Sequence, residues 1–406
     1  LLDRHSDYLD LDFVLPADAV ETAHAIARHY RAGFVVLDSE RQIARVVFQQ
    51  GTADFALQVG STLEEDLRRR DFTVNAIAYN PHTGQLLDPL QGYADLEKKR
   101  LRMVSPANLE EDPLRLLRAY RQAAQLGFSI EPDTQQVIRQ LAPMLKKIAA
   151  ERVQSELNYL LGTPKGTQWL KSAWEDGLLK DWFPSTTLDR LMGIAAIDHA
   201  ATMIQETWTE FWAELNRSVR GSNQSDLKVS GSLRTWVTIA KLATLLPDDP
   251  DVAEAQLWRL KYSRVEIQAV STVLKVLPQL RPEHPIEEWT LAEQYFFFQT
   301  VGAVFPAMAL LAYAFGMSVP SELREGLNAG IMSLVDRFLD PSDPVAHPTA
   351  VLTGQDLMST LKLPPGPQIG RLLAALQLAR AEGKIITRDD ALEWARFLVA
   401  TESLLD

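Results

Sequence analysis

The 406-residue sequence contains no cysteine, which excludes disulfides and thiolate metal sites. Its seven histidines, at 5, 24, 29, 82, 199, 284 and 347, are scattered without metal-ligand spacing. Asp198-His199 runs in the wrong order for the His-Asp signature of metal phosphohydrolases, and His199 reads as an ordinary helix residue. No apolar run is long enough to span a membrane, and no signal-peptide pattern is present. A cytoplasmic protein with no membrane partner is the expectation. Positive charge is in deficit, with 41 Lys and Arg against 53 Asp and Glu, a net charge of −12. Net charge says little about local field, however. Basic residues cluster at Arg68, Arg69 and Arg70, at Lys98, Lys99, Arg100 and Arg102, and at Lys146 and Lys147. These clusters fit solvated helix faces or a basic groove on an acidic body.

A chain of this length exceeds one ordinary core, so two to four subdomains are expected. The N-terminal part mixes periods. Pro16 to Arg31 reads as a helix, with Val20, Ala23, Ala27 and Tyr30 at helical spacing. Phe34 to Leu37, Ile43 to Phe48 and Ala53 to Leu57 read as strands, and Gln85 to Leu87 as a short one. Ser61-Thr62 caps a helix running through Leu67, with Glu64, Glu65 and Asp66 in its first turn. From about Asp95 onward nearly everything is helical, including Leu114 to Gly127, Pro132 to Leu141, Ala149 to Leu161 and Gly166 to Gly177. The polar stretch Asn216 to Ser232 reads as a flexible excursion, and Asp340-Pro341-Ser342-Asp343-Pro344 as a second break. Most tryptophans fall in the helical part and read as packing residues. The expected class is α+β, a small sheet-bearing head followed by an extended all-helical remainder.

The run Tyr8-Leu9-Asp10-Leu11-Asp12-Phe13-Val14-Leu15 has strand character. Strand side chains alternate faces, so Asp10 and Asp12 point one way and Leu9, Leu11 and Phe13 the other. Two like charges side by side are costly unless something positive lies between them. A divalent metal meets that need, and oxygen ligands suit Mg²⁺. Such a pair is the minimal platform for metal-assisted phosphoryl transfer. A solvated strand face is the alternative.

Further motifs follow in order: Leu63-Glu64-Glu65-Asp66-Leu67-Arg68-Arg69-Arg70-Asp71-Phe72-Thr73-Val74-Asn75-Ala76, then Asp88-Pro89-Leu90-Gln91-Gly92-Tyr93-Ala94-Asp95-Leu96, then Glu111-Asp112-Pro113-Leu114-Arg115-Leu116-Leu117-Arg118, then Glu151-Arg152-Val153-Gln154-Ser155-Glu156-Leu157. With the acidic pair, this set resembles the class II tRNA nucleotidyltransferases and bacterial poly(A) polymerases. The motifs span roughly residues 1–160. A weaker similarity, Leu352-Thr353-Gly354-Gln355-Asp356-Leu357 with Pro365-Gly366-Pro367-Gln368-Ile369-Gly370, matches the family's C-terminal region.

The resemblance implies a nucleotidyltransferase head over 1–95, a helical neck over 96–162, a body over 163–262 and a tRNA-binding tail over 263–406. It implies Mg²⁺ on Asp10 and Asp12, with Asp54 as a third carboxylate, and Arg70, Asp71 and Asn75 holding the nucleotide's sugar and phosphates. Asp112 and Arg115, taken as one turn apart on a helix, would read the base. A carboxylate only accepts and a guanidinium only donates, so the pair complements the amino and ring-nitrogen groups of C and A and mispairs with U and G. Arg118 would reach phosphate. Asp112-Pro113 is also a good helix start on its own. Glu151, Arg152 and Glu156 would brace helices, and Gly366-Pro367-Gln368-Ile369-Gly370 could open a helix that offers N–H groups to a phosphate.

Two departures from the family pattern stand out. The Gly-Gly-x-Val-Arg-Asp element that relatives carry upstream of the acidic pair is not in this sequence, which begins Leu1-Leu2-Asp3-Arg4-His5, so an N-terminally incomplete chain is expected. And Asp54 is separated from Asp66 only by Phe55-Ala56-Leu57-Gln58-Val59-Gly60-Ser61-Thr62-Leu63-Glu64-Glu65. That leaves no room for the flexible loop of complete CCA-adding relatives, and in the family its lack goes with CC addition. The expected substrates are therefore immature tRNA and CTP, with ATP added on the A-adding and CCA-adding alternatives. Adding A, adding complete CCA, polyadenylation, a catalytically inactive RNA-binding scaffold and a small-molecule nucleotidyltransferase are the alternatives.

Overall fold

Strand β1 (Leu9–Leu15) pairs in parallel with β4 (Gly51–Leu57). Strands β2 (Gly33–Asp38) and β3 (Ile43–Phe48) form an antiparallel ribbon, and β3 pairs antiparallel with β4. The sheet order is β1-β4-β3-β2. A computed structural model describes residues 9–163, 165–219, 234–280, 285–317 and 321–401. It divides into two units, 1–147 and 148–406.

In the first unit, helix α1 (Ala19–Tyr30) covers one face of the sheet. Ala19, Ala23 and Ala27 recur on one side of α1 and are buried against Ala44, Val46, Ala53 and Phe55. Small helix residues let the backbone approach closely, while the buried Val and Phe contribute about 1.5–3 kcal/mol each. Gly51 serves the same closeness, since a Cβ there would stand 2.4 Å from the Leu9 carbonyl oxygen. The other sheet face keeps the polar side chains of Asp10, Asp12, Thr52, Asp54 and Arg45, placed there by alternation and register.

After β4 the chain turns through 58–62 into α2 (Leu63–Leu67), where Thr62 caps as expected by accepting from the Glu65 N–H. α3 (Gly92–Glu97), α4 (Pro106–Glu111) and α5 (Leu114–Leu126) follow. The buried Asp95 of α3 gathers the Thr73 hydroxyl at 2.8 Å, Arg100 at 2.6 Å and Arg102 at 2.8 Å. Burial alone would push this carboxyl up. Hydrogen bonds from Arg100, Thr73 and Arg102 overcome that and leave it below its ordinary value.

The second unit is helical. The helix Leu188–Thr207 packs against Trp236–Leu245 and Phe305–Gly316. A C-terminal cluster builds on Leu357, Leu372, Leu376, Ala391 and Ala395. The α+β class holds, with the sheet confined to the N-terminal unit. Of the expected excursion over 216–232, residues 220–232 lie outside the described residues, as do Leu1 to Tyr8 and His284. Ser218 and Thr235, flanking that stretch, form a β-bridge.

The expectation of no membrane-length apolar run is corrected. Leu291–Gly316 spans 26 residues and contains an 18-residue window of mean hydropathy 1.6, long and apolar enough by composition to cross a bilayer. In the fold it is two helices joined at Gly302, whose φ of +52° breaks the rod, and 67% of its most apolar window is buried by its neighbours. Phe297, Phe298, Val301, Phe305, Met308 and Leu310 form helix-packing core here, while Phe296 and Phe315 stay exposed.

Candidate active site

The parallel register sets Asp10 opposite Thr52 and Asp12 opposite Asp54. The Thr52 hydroxyl donates to Asp10. Asp54 is clamped from β3 by Arg45, with Nε at 2.7 Å from one carboxylate oxygen and Nη2 at 2.8 Å from the other. Arg45 was not singled out in the sequence, because only the β3–β4 register brings it opposite Asp54. Asp12 bears the unbalanced charge. Burial raises its pKa first, and the carboxylates of Asp54 and Asp10 raise it further. Arg70 and Arg45 pull the other way without cancelling the rise.

A cation beside Asp10 and Asp12 would relieve that repulsion. Among the described residues no group of three or more His, Asp or Glu side chains could hold a metal unaided. Two carboxylates nevertheless fit Mg²⁺, which is commonly held by one or two protein carboxylates plus substrate phosphates and water.

The segment after α2 carries the next group of residues expected at the site. The run Arg68-Arg69-Arg70 is not a free basic patch. Arg68 pairs with Glu64 at 2.7 Å, Arg69 with Glu111 at 2.7 Å and Arg70 with Asp66 at 3.1 Å. Arg100 and Arg102 are likewise taken up by Asp95. Exposed Lys98, Lys99, Lys146 and Lys147 remain of the basic groups noted in the sequence. The buried Asp66, passed over as a first-turn charge, also accepts from the Val59 N–H at 3.0 Å.

Asp71 is buried at 6% exposure. One of its oxygens accepts from the Phe72 N–H and from Asn75 Nδ2, both at 2.9 Å. Arg118 occupies the other, with Nη2 at 2.9 Å and Nε at 3.0 Å. Burial works against the charged form of Asp71, but the Arg118 charge and these hydrogen bonds win, so its pKa falls below the ordinary value. Asn75 Nδ2 also donates to Gln122 of α5 at 3.0 Å, a contact with no sequence signal. Arg118, expected to reach phosphate, lies with its guanidinium on Asp71 in this structure.

Asp112 and Arg115 do not share one helix, contrary to the sequence reading. Asp112 is extended, with φ −131° and ψ 93°, at the junction between α4 and α5. Pro113 is the physical reason, since the residue before a proline is driven from helical geometry. The Asp112 carboxylate accepts from the Leu114 N–H at 3.3 Å, much as the helix-start alternative implies. Arg115 sits in the first turn of α5, its backbone N–H 2.9 Å from the Asp112 carbonyl and its Nη1 2.9 Å from the Asn108 carbonyl. The two residues are therefore linked through the backbone at a helix junction.

Residues 1–102 match the family described as "Poly A polymerase head domain", residues 127–189 the one described as "Probable RNA and SrmB- binding site of polymerase A", and residues 227–395 the tRNA nucleotidyltransferase domain 2 family. The chain is 46% identical to a CC-adding tRNA nucleotidyltransferase of Synechocystis, over 98% of this chain and 91% of that one. It is 31% identical to an A-adding tRNA nucleotidyltransferase of Deinococcus radiodurans, over 96% and 90%. A solved complex of a CCA-adding enzyme with CTP shares the fold, at a TM-score of 0.69 and 22% identity, covering 97% of this chain and 87% of that one. The chain belongs to the tRNA nucleotidyltransferase and poly(A) polymerase family.

Proposed function

We propose that this nucleotidyltransferase adds two cytidines to the 3′ end of immature tRNA and then stops. One observation carries the choice of CC addition. The connection from β4 to α2 is short and pinned throughout: Gln58 N–H bonds to the Leu15 carbonyl at 2.7 Å, Val59 N–H to Asp66 at 3.0 Å and Ser61 N–H to Glu65 at 2.6 Å. Asp66 in turn holds Arg70. Complete CCA-adding relatives, by the resemblance, carry a flexible loop in this place. The CC-adding relative from Synechocystis is also much the more similar of the two quoted, at 46% against 31%.

Phosphoryl transfer needs positioning and charge neutralisation more than covalent help. In this reading Asp10 and Asp12 hold Mg²⁺, which when bound offsets triphosphate charge and favours the 3′-alkoxide. Asp54, fixed by Arg45, keeps the acidic face in register beside Asp12. Arg70 faces the phosphates, while Asp71 and Asn75, tied to each other and to Arg118 and Gln122, set the segment that holds the ribose. Asp112 accepts the cytosine amino hydrogens and Arg115 donates to the ring nitrogen and carbonyl. Uracil reverses the amino and ring-nitrogen pattern and leaves both side chains mispaired, which discriminates strongly in a site built for hydrogen bonds. In this reading the N-terminal part to residue 95 carries the chemistry, 96–162 the base reader, 163–262 form a helical body and the tail 263–406 binds tRNA, in the cytoplasm.

The test is direct. Protein is incubated with tRNA lacking its 3′ end, with CTP, ATP, UTP and GTP singly and together. Two added cytidines and no adenosine are expected. Adenosine on tRNA ending in CC, or no addition of C, overturns the reading.

A further inference from the structure

We infer that Asn108 is a positioning residue that sets the base-reading pair against the sugar- and phosphate-binding segment. The inference rests on the roles proposed above for Arg70, Asp71, Asp112 and Arg115. Asn108 lies on α4 at 8% exposure, outside every motif noted in the sequence. Its amide nitrogen donates to the Arg68 carbonyl at 2.8 Å and to the Arg70 carbonyl at 2.8 Å. The second of these is the peptide that leads into Asp71. Its own carbonyl accepts from Arg115 Nη1 at 2.9 Å and from the Asp112 backbone N–H at 3.4 Å. One residue thus touches both halves of the site, through its side chain on one side and its backbone on the other.

The chemistry is specific to an amide. Two carbonyl oxygens converge on one nitrogen, and only an NH₂ group supplies a hydrogen to each. A carboxylate of the same shape places lone pairs against both acceptors. A serine hydroxyl supplies one donor on a shorter reach. Base choice depends on where Arg115 and Asp112 stand relative to a cytidine whose sugar is held by the other segment. Slippage between the halves therefore relaxes discrimination even where each side chain remains, and small misplacements of this kind cost up to about 10²-fold.

Steady-state kcat and KM for CTP and for UTP are measured on tRNA lacking its 3′ end, for wild type, Asn108→Asp, Asn108→Ser and Asp112→Ala, with melting temperatures for each. Val46→Ala serves as the stability control, because Val46 is fully buried on the sheet face covered by α1. Asn108→Asp is expected to raise the KM for CTP and to narrow the CTP-over-UTP preference about tenfold or more. Asn108→Ser, the milder change and the safeguard if the carboxylate prevents folding, is expected to fall between it and wild type. Val46→Ala is expected to melt earlier with its preference intact. If wild type selects CTP and Asp112→Ala does not, while both Asn108 variants keep the wild-type ratio and differ only in melting temperature, Asn108 is structural and the inference is overturned. If wild type itself shows no preference for CTP, it is the proposed base-reading function that fails.

Discussion

The guanidinium of Arg118 lies 2.9 Å from the buried carboxylate of Asp71, and the pair joins α5 to the segment that follows α2. Asp71 is nearly sequestered, whereas the Arg118 side chain is 37% exposed. The carboxylate therefore depends on its partners more than the guanidinium does. Removing one partner of a buried pair leaves an uncompensated charge, at about 3–5 kcal/mol when both are fully buried. Partial exposure of Arg118 discounts that figure, so Arg118→Ala is expected to lower unfolding stability by about 2 kcal/mol.

The pH dependence of that loss has a definite sign. Asp71 titrates below its ordinary value of 3.8 in the folded chain. The stability it contributes is complete above 3.8 and disappears as pH falls through the depressed folded value. Denaturant midpoints for wild type and Arg118→Ala should therefore stay apart from neutral pH down to about 4 and converge below it. A gap that stays constant below about pH 4 as well would mean that lost packing, not the Asp71 charge, explains the variant.

Asp12 gives the opposite sign. Burial and its acidic neighbours raise its pKa above the ordinary 3.8. Ionising it thus costs the folded state stability as pH rises above that value. Asp12→Asn removes the cost, so this variant should melt no lower than wild type at neutral pH without added metal. Its nucleotide addition should nevertheless fall by about 10³-fold, since a metal platform is worth several kcal/mol at the transition state. Added Mg²⁺ should raise the melting temperature of wild type and leave that of Asp12→Asn nearly unmoved, as expected for a ligand that binds only the folded wild type. Equal Mg²⁺ stabilisation of the two proteins would sink the metal-site assignment.

What could be read in advance depended on how local the cause was. The alternation from Leu9 to Phe13 is a period-two signal in the sequence itself, and β1 (Leu9–Leu15) carries it; Tyr8 of the expected run lies outside the described residues. The alanines of α1 and the Thr62 cap are equally local. The Arg45–Asp54 clamp is not, because it needs the register between β3 and β4. The contacts of Asn75 with Gln122 and of Asn108 with Arg68 and Arg70 bridge segments far apart in the chain, and no periodicity announces them. Asp112 is a different case. Its signal was present in the following proline, but the one-turn spacing to Arg115 pointed to a single helix.

That junction makes its own prediction. Asp112→Ala or Arg115→Ala should slow C addition and also relax base choice. In the proposed reading each removes one half of the pattern that penalises U and G, and loss of a hydrogen-bonding reader is typically worth about one to two orders of magnitude in discrimination. The ratio of kcat/KM for CTP over UTP is the readout. Should Asp112→Ala keep the wild-type ratio while losing about 1 kcal/mol of stability, its carboxylate is only a cap on the Leu114 N–H.

The pinned connection between β4 and α2 leads to the last prediction. After two additions the base pocket must change from C to A, and Asp112 and Arg115 would have to shift around a larger purine. In this chain the segment that could drive such a shift is held at Gln58, Val59 and Ser61, and Asp66 binds both Val59 and Arg70. The pocket should therefore keep its cytosine setting, and ATP should be a poor substrate even on tRNA already ending in CC. Asp66→Ala, which frees Val59 and Arg70 together, should weaken CTP binding without enabling ATP use, since it loosens the site but supplies no lever. Insertion of a flexible loop from a complete CCA-adding relative between Val59 and Leu63 should confer measurable A addition. Single-turnover assays with tRNA ending in C and in CC distinguish these outcomes. Efficient ATP incorporation by the unmodified protein would show that the missing loop does not limit this enzyme.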